Sequence, residues 1–571
     1  MQTTHDLMRR LKQEACLEGH LGCVNCLEWN QRGDLLASGS DDCNIIIWDI
    51  FKQRKKCLVQ TGHRKNIFSV KFMPASNDSQ VVSCGGDGQI RLTNALNSAN
   101  LLVCKTCHGE RVKRLAVHPS EPNLIWSAGE KGLILQHDTR QAHVCSTSKP
   151  ANLLIDLNTI SKCVSAKCIA VNPVRSEMLA IGSNDIYNRL FDRRAPKSCI
   201  AYFAPGHLHK TNNRSNNLQS YGTTYLTFNS NGSELLASVH AEQVYLFNTY
   251  EPWQKCQSFN LPIRPTTELK PCAPPPDLKR RQCPVDYLNE LLEKVSNSPD
   301  LYRARAKALT SRGWRGDYYQ ALRDCCCALA LKPVDFETIR CLATTLIKLG
   351  DKKDASSLLE FVEGTIREFG NQMELLESKR MLVTFMRSPS PQQCGSLDNG
   401  RSGVKNILAA SLLPTLNDEF AYLQDDCIFK KKFVKKEYEQ SVKSFDFIRR
   451  YCGHCNMNTD IKEANFFGCK DEFIVGGSDD GAFYIWDKYT TNIVKAVHAD
   501  YQILNCVQPH PTICMLATSG IEKNVKLWST SGKVSRDVEA LETRCSQNQK
   551  HISTDPLEAM YMMLYPSRAL F

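Results

Sequence analysis

The chain is 571 residues long, with 42% hydrophobic and 23% charged residues, which is length for three or four domain equivalents and apolar content for a buried core. A small disulfide scaffold and wholesale disorder are excluded, and the 27 cysteines read as thiols of a reducing compartment. The excess of 71 basic over 60 acidic residues, a net +11, is too mild for a protein that coats nucleic acid. The start of the chain is broken by His5, Asp6, Arg9, Arg10 and Lys12, and no run approaches the roughly 18 apolar residues that cross a bilayer. The expectation is a cytoplasmic and nuclear protein with no membrane partner and no direct nucleic-acid partner.

From the N-terminus, Gly19-His20 precedes Leu35-Leu36-Ala37-Ser38, a turn at Asp41-Asp42, a run Ile45 to Ile47, and Trp48-Asp49. A second copy runs from Gly62-His63 through Asp87-Gly88 to Leu92-Thr93, so the spacing of 28 residues from His20 to Trp48 recurs as 29 from His63 to Leu92. Regularity of this kind marks a repeat architecture. Degenerate third and fourth copies end His137-Asp138 and Leu190-Phe191-Asp192, and a fifth reads Leu235-Leu236-Ala237-Ser238, then Val244-Tyr245-Leu246-Phe247. After a long interruption, Phe473 to Gly481 leads to Trp486-Asp487, and Met515 to Gly520 leads to Leu527-Trp528. These seven copies resemble WD repeats, which predicts a mainly β fold: a seven-bladed propeller in which each sheet buries its faces only against neighbouring blades. Nothing after Trp528 reads as a last outer strand, whereas Glu14-Ala15-Cys16-Leu17 does, so the N-terminal strand is expected to close the ring.

The interruption has its own period. Pro299 and Pro333 are 34 residues apart, and the same offset matches Tyr302 with Phe336, Leu309 with Ala343, and Ala321 with Ala355. That is the repeat of a tetratricopeptide helix pair. The expected organisation is blades one to five with the closing strand over 1–261, a Pro-rich linker over 262–284, and a helical insertion over 285–380 between blades five and six. A flexible, basic linker over 381–446, blades six and seven over 447–545, and a helical tail over 546–571 follow. Within these, Val285 to Val295, Arg340 to Leu349 and Ala355 to Phe369 are expected as helices. The tail is expected to begin a capped helix at Asp555-Pro556 that packs on the disc.

The order of these parts, with the segments Gly22 to Asn30, Asn66 to Phe72, Arg449 to Asn456 and Thr459 to Gly468, resembles the WD and tetratricopeptide repeats (adipose-like) family. The propeller is also similar to other receptors that dock on cullin-4 ubiquitin ligases. The resemblance implies a non-catalytic substrate receptor whose propeller binds the adaptor, damaged-DNA-binding protein 1, while another surface presents a protein client, possibly a histone. Such receptors carry Trp-Asp-x-Arg at the end of the third strand in two successive repeats. The matches here are His137-Asp138-Thr139-Arg140 and Phe191-Asp192-Arg193-Arg194. A guanidinium just past a strand end reaches a rim of the disc, where it makes forked, charge-assisted bonds that Lys does not reproduce. Asp138, Arg140, Asp192 and Arg194 are therefore the candidate adaptor-binding set, with Arg111 and Arg114 at the entry to blade three as secondary candidates. Only Thr4 to Lys12 is available as an N-terminal adaptor-docking helix.

Other signals carry less. His20, Ser38, Asp42 and Trp48 resemble the buried hydrogen-bonded set that pins a WD blade, as do His454, Asp480 and Trp486. Without a Gly-x-Ser-x-Gly elbow, a buried His-Asp pair does not make a hydrolase. Cys452-Gly453-His454-Cys455 lacks a second ligand pair, with Cys469 the nearest candidate, so no metal and no cofactor are expected. The lysines from Lys430 to Lys436 read as solvated linker charge. The rival function is a ligase-independent chromatin scaffold that reads a histone tail.

Overall fold

The computed structural model describes residues 4–143, 145, 150, 152–161, 163–208, 221–249, 284–332, 335–350, 355, 358, 444–534 and 538–553. The predicted linkers except Pro284 and residues 444–446, the Lys430 to Lys436 cluster, the helix expected at Asp555 and most of Ala355 to Phe369 lie outside these residues. The chain divides into two compact units, one built of strands and one of helices.

The strand unit is a seven-bladed β-propeller of seven antiparallel sheets. Blade one shows why the sequence takes this form. Its inner strand Val24–Trp29, second strand Leu35–Ser40 and third strand Asn44–Asp49 are buried almost throughout, while the outer strand Arg54–Gln60 is half charged and largely exposed. The first three strands lie between neighbouring blades and read as near-continuous apolar runs, and the outer strand meets water on one side. Within the blade His20 bridges Asp42 (2.9 Å) and Ser38 (2.8 Å), and Trp48 donates its indole N–H to the same Ser38 oxygen at 2.8 Å. Blade two repeats the relay through His63, Asp87 and Ser83.

Blade seven has three strands from the C-terminal part, Leu504–Pro509, Met515–Gly520 and Val525–Ser529, and takes its outer strand Lys12–Leu17 from the start of the chain. Lys12 faces Ser529 and Leu17 faces Val525 across this seam. The closure expected from Glu14 to Leu17 is therefore present. Just upstream, helix α1 (His5–Arg9) buries Met8 in the same core as Phe483 and Trp528, and Lys495 donates to the Leu11 carbonyl at 2.7 Å.

The insertion falls between the fifth and sixth sequence repeats, which in the fold means between the third and outer strands of blade five. The third strand Val244–Asn248 pairs with Arg449–Tyr451 from beyond the insertion. On its way back the chain also adds a short fifth strand, Ser444–Phe445, parallel to the outer strand of blade four. In the helical unit, α2 (Pro284–Lys294), α3 (Pro299–Arg312), α4 (Asp317–Leu331) and α5 (Phe336–Lys348) enclose a core. Leu309, Ala321, Ala343 and Ala355, the positions of the 34-residue pattern, are all buried there. Ser298 caps α3, with Pro299 in its first turn, and Gly313 ends it in the left-handed conformation that glycine adopts without strain. Arg305 and Asp324 form a forked pair, 2.7 Å at each bond, and Arg312 holds Asp317.

The C-terminal helix begins earlier than expected. After blade seven, α6 (Val538–Ser553) starts within the range read as propeller and runs into the expected helical tail, and Asn548 donates to the Gly453 carbonyl (2.9 Å) and the Tyr484 hydroxyl (3.0 Å). Beneath it the expected pin of blade six is absent. Trp486 donates to the Cys452 carbonyl, and the buried His454 ring touches Trp486 edge-on with neither ring nitrogen hydrogen-bonded.

Two outcomes are expected. Removal of residues 1–17 should leave blade seven without its outer strand and abolish cooperative thermal unfolding, with rapid proteolysis in all blades; Leu17→Ala alone should cost about 2–5 kcal/mol. Burial lowers His454 from 6.5 to about 4, so the folded state holds it neutral while the unfolded chain takes up a proton. Its contribution is complete above pH 6.5 and drains as pH falls towards 4, at up to about 1.4 kcal/mol per pH unit. Urea unfolding across that window should be measurably flatter in His454→Leu.

Candidate functional site

Because the strands of each blade are antiparallel, the turns joining third to outer strands gather on one rim, and those joining second to third strands gather on the other. On the first rim six blades share one backbone bond. The residue after the third-strand Asp or Asn donates to the carbonyl just before the second strand, at 3.2 Å for Ile50, 2.8 Å for Ala95, 2.9 Å for Thr139, 2.8 Å for Arg193, 2.8 Å for Thr249 and 3.0 Å for Lys488. The next residue is thereby set at an equivalent place on each blade. On blades one to four that residue is Phe51, Leu96, Arg140 and Arg194. Phe51 and Leu96 are 69% and 79% exposed, and the two arginine side chains 67% and 65%. An apolar pair is followed by a cationic pair along four adjacent blades.

Each arginine is clamped by the aspartate two residues before it. Asp138 accepts from the Arg140 backbone N–H (3.0 Å), Nε (2.9 Å) and Nη2 (2.7 Å), and Asp192 accepts from Arg194 at 2.9, 3.0 and 2.7 Å. The side-chain bonds from the arginines hold both carboxyls below the usual carboxylate range. Engaging Nε and one edge of Nη2 fixes the plane of the guanidinium and leaves its far edge for an outside acceptor. Holding a long side chain in place beforehand reduces the ordering cost of binding. The arginines are exposed and the aspartates half-buried at the rim, so the value of the clamp lies in positioning more than in stability. Arg193, which the motif leaves undefined, pairs with Glu121 of blade three and lies over Trp126 at 5.7 Å, tying the two arginine-bearing blades together. No sequence signal marks Glu121.

The secondary candidates lie elsewhere. Arg111 precedes the inner strand of blade three and pairs with Glu130, which also takes Lys167 (2.8 Å); Lys167 reaches Asp460, which holds Lys113 at 2.9 Å. This chain of charges belongs to the rim opposite Arg140 and Arg194. Arg114 is not on a rim at all. It crosses the axis to the fully buried Glu463, 2.8 Å away, and stacks on Tyr225, with only 11% of its own side chain exposed. Gln508 of blade seven donates to the same carboxylate at 2.8 Å, so four blades meet in one polar knot. Arg114 is thus removed from the docking set, because an inner-strand side chain at that register points into the ring. Burial pushes Glu463 up from its ordinary value while Arg114, Gln508 and the Val507 N–H oppose it. Above the knot, on the rim of Arg111, a cavity of about 410 Å³ is lined by Asn25, Asp41, His240, Asn458, Asp460 and Asn505 among others.

The repeat family described as WD domain, G-beta repeat matches residues 11–49 and 54–94. WD and tetratricopeptide repeats protein 1 of Homo sapiens is 35% identical, covering 98% of this chain and 91% of that protein. Protein ALTERED SEED GERMINATION 2 of Arabidopsis thaliana is 29% identical over 94% of this chain and 88% of its own length. DDB1- and CUL4-associated factor 6 of Homo sapiens is 34% identical over 43% of this chain and 29% of its own length.

The axial knot gives a double-mutant cycle. Arg114→Met and Glu463→Gln should each destabilise by about 3–5 kcal/mol, because each leaves a buried partner uncompensated, and the double variant should lose less than the sum. Denaturant midpoints of the four proteins measure this directly.

Proposed function

The chain belongs to the WD and tetratricopeptide repeats protein family, and we propose that it is a non-catalytic substrate receptor of a cullin-4 ubiquitin ligase. The observation that carries the proposal is the pair of clamped guanidinium groups at equivalent rim positions of blades three and four. Similarity over part of the chain to DDB1- and CUL4-associated factor 6 supports the same partner class. In this reading Arg140 and Arg194 fork acceptors of the adaptor, and Phe51 and Leu96 extend the contact with apolar surface. Arginine is among the residues enriched at binding hot spots, and near-neutral apolar contacts around such anchors exclude water.

The client is held away from the adaptor. The cavity on the opposite rim, with its Asn and Asp lining, suits an extended, basic peptide, and the inserted helices, read as tetratricopeptide pairs, offer a second surface. Placing a client beside a charged ubiquitin carrier raises its effective concentration, so no catalytic group is required of this chain. Helix α1 is folded onto its own ring through Met8, which supports adaptor docking through the rim and not through an N-terminal helix.

Affinity purification and direct titration with the purified adaptor test this. Arg140→Ala with Arg194→Ala should weaken adaptor binding at least about 30-fold per arginine. The melting temperature should stay unchanged, because both side chains are exposed. Phe51→Ala with Leu96→Ala should weaken binding too, and Arg111→Ala should not. Adaptor binding that survives the folded arginine double variant rejects the rim; a wild type that captures histone but no adaptor favours the chromatin-scaffold reading.

A further inference from the structure

Blade two ends and blade three widens around a group of side chains that the docking rim does not use. Cys104 closes the outer strand of blade two, Asn100–Cys104, and Cys107 follows in the next turn. His143 and Cys145 lie in the linker that runs from the third strand of blade three, Leu133–Asp138, to its outer strand, Leu153–Asp156. The ligand atoms of all four lie within 4.8 Å of one another. Two sequence repeats contribute a Cys-x-x-Cys and a His-x-Cys, with 36 positions from Cys107 to His143. That separation hides the tetrad from inspection of local motifs, in which Cys104-x-x-Cys107 is only one Cys-x-x-Cys beside that of Cys452 and Cys455. Among the described residues no third ligand gathers at those two.

We propose that Cys104, Cys107, His143 and Cys145 form a structural zinc site that joins the edges of blades two and three. Three thiolates and one imidazole are a standard closed ligand set for zinc, and such a soft, nitrogen-containing tetrad disfavours magnesium or calcium. Tetrahedral bonds of about 2.3 Å to sulfur and about 2.0 Å to nitrogen put ligand atoms roughly 3.5–3.8 Å apart. The Cys107 sulfur and His143 Nε2 are 3.3 Å apart and no pair exceeds 4.8 Å, so closure around an ion needs shifts of at most about 1 Å. The Lys105 backbone N–H already points at the Cys145 sulfur at 3.2 Å, the kind of outer bond that stabilises a metal-bound thiolate.

The surroundings orient the group. Cys104 and Cys107 are buried in the core of blades two and three, whereas His143 is half-buried and Cys145 exposed, which leaves an entry path on the Cys145 side. The His143 ring meets His137 edge-on at 5.3 Å, and His137 is held by Asn152 at 2.9 Å. His137 stands where a WD repeat places Trp. The smaller imidazole leaves room for His143 beside it, so the departure from the motif fits the proposed site. Arg140 lies three residues before His143 on the same linker, so the ion would also anchor the segment that follows the first clamped arginine. The site stands on its own geometry and does not depend on the adaptor reading.

The full chain, expressed in zinc-supplemented medium and purified without chelator, should carry one zinc per chain by plasma mass spectrometry. After exchange with cobalt(II) it should show thiolate-to-cobalt charge transfer and the strong d–d bands of a tetrahedral ion. His143→Ala with Cys145→Ser, which spares the two buried cysteines, should lose the metal, and Cys452→Ser with Cys455→Ser should keep it. Removing zinc should speed proteolysis within the linker from 139 to 152. A folded wild type without stoichiometric zinc and without the cobalt spectrum overturns the proposal. So does a folded His143/Cys145 variant that retains the metal, or a Cys104–Cys107 disulfide in the native chain. If the variant fails to fold, the cobalt spectrum of the wild type decides alone.

Discussion

The propeller depends on one seam, the pairing of Lys12–Leu17 with Val525–Ser529. A blade of this kind has no independent core: both faces of its first three strands are apolar and are covered only by the next blade round. Open the ring at any point and two such faces meet water. Hydrogen bonds between strands drawn from opposite ends of the chain therefore support every other contact in the molecule, including those far from the seam. The polar knot on the axis acts in the same sense from inside, since Arg114, Tyr225, Glu463 and Gln508 come from four blades and are satisfied together only in the closed ring.

Closure also explains why the rims are where chemistry is displayed. The strands are committed to packing, so the side chains free to vary are those at the turns, and the backbone bond shared by six blades at the end of the third strand presents one residue on each at a repeated station. Phe51, Leu96, Arg140 and Arg194 occupy consecutive stations. Their conformations are set by the blade beneath them and by Asp138 and Asp192, so a partner meets a surface already arranged.

The sequence carried the repeat number, the closing strand and the clamped arginines plainly, because each rests on local spacing: apolar runs ending in Trp-Asp or its variants, and an Asp two residues before an Arg. It carried the 34-residue pattern of the helices for the same reason. What it hid is long-range. Arg114 looked like surface charge because nothing near it in the chain reveals that Glu463, from three blades further round, lies across the axis. The blade-six pin is absent, and Asn548 of α6 engages Asp480 in place of His454. The parallel strand at Ser444 and the convergence of Cys104, Cys107, His143 and Cys145 likewise join segments that no motif window contains.

The place of the insertion has one more consequence. Leu246 and Arg449 are direct neighbours across two adjacent strands, so the chain leaves the ring and re-enters it through points a single strand spacing, about 4.8 Å, apart. To the blade, everything between Thr249 and Ser444 is equivalent to a turn. Such a socket tolerates exchange of its cargo: the inserted segment can lengthen, shorten or be replaced during evolution while the scaffold keeps its register, and an engineer can graft a foreign domain between those two residues.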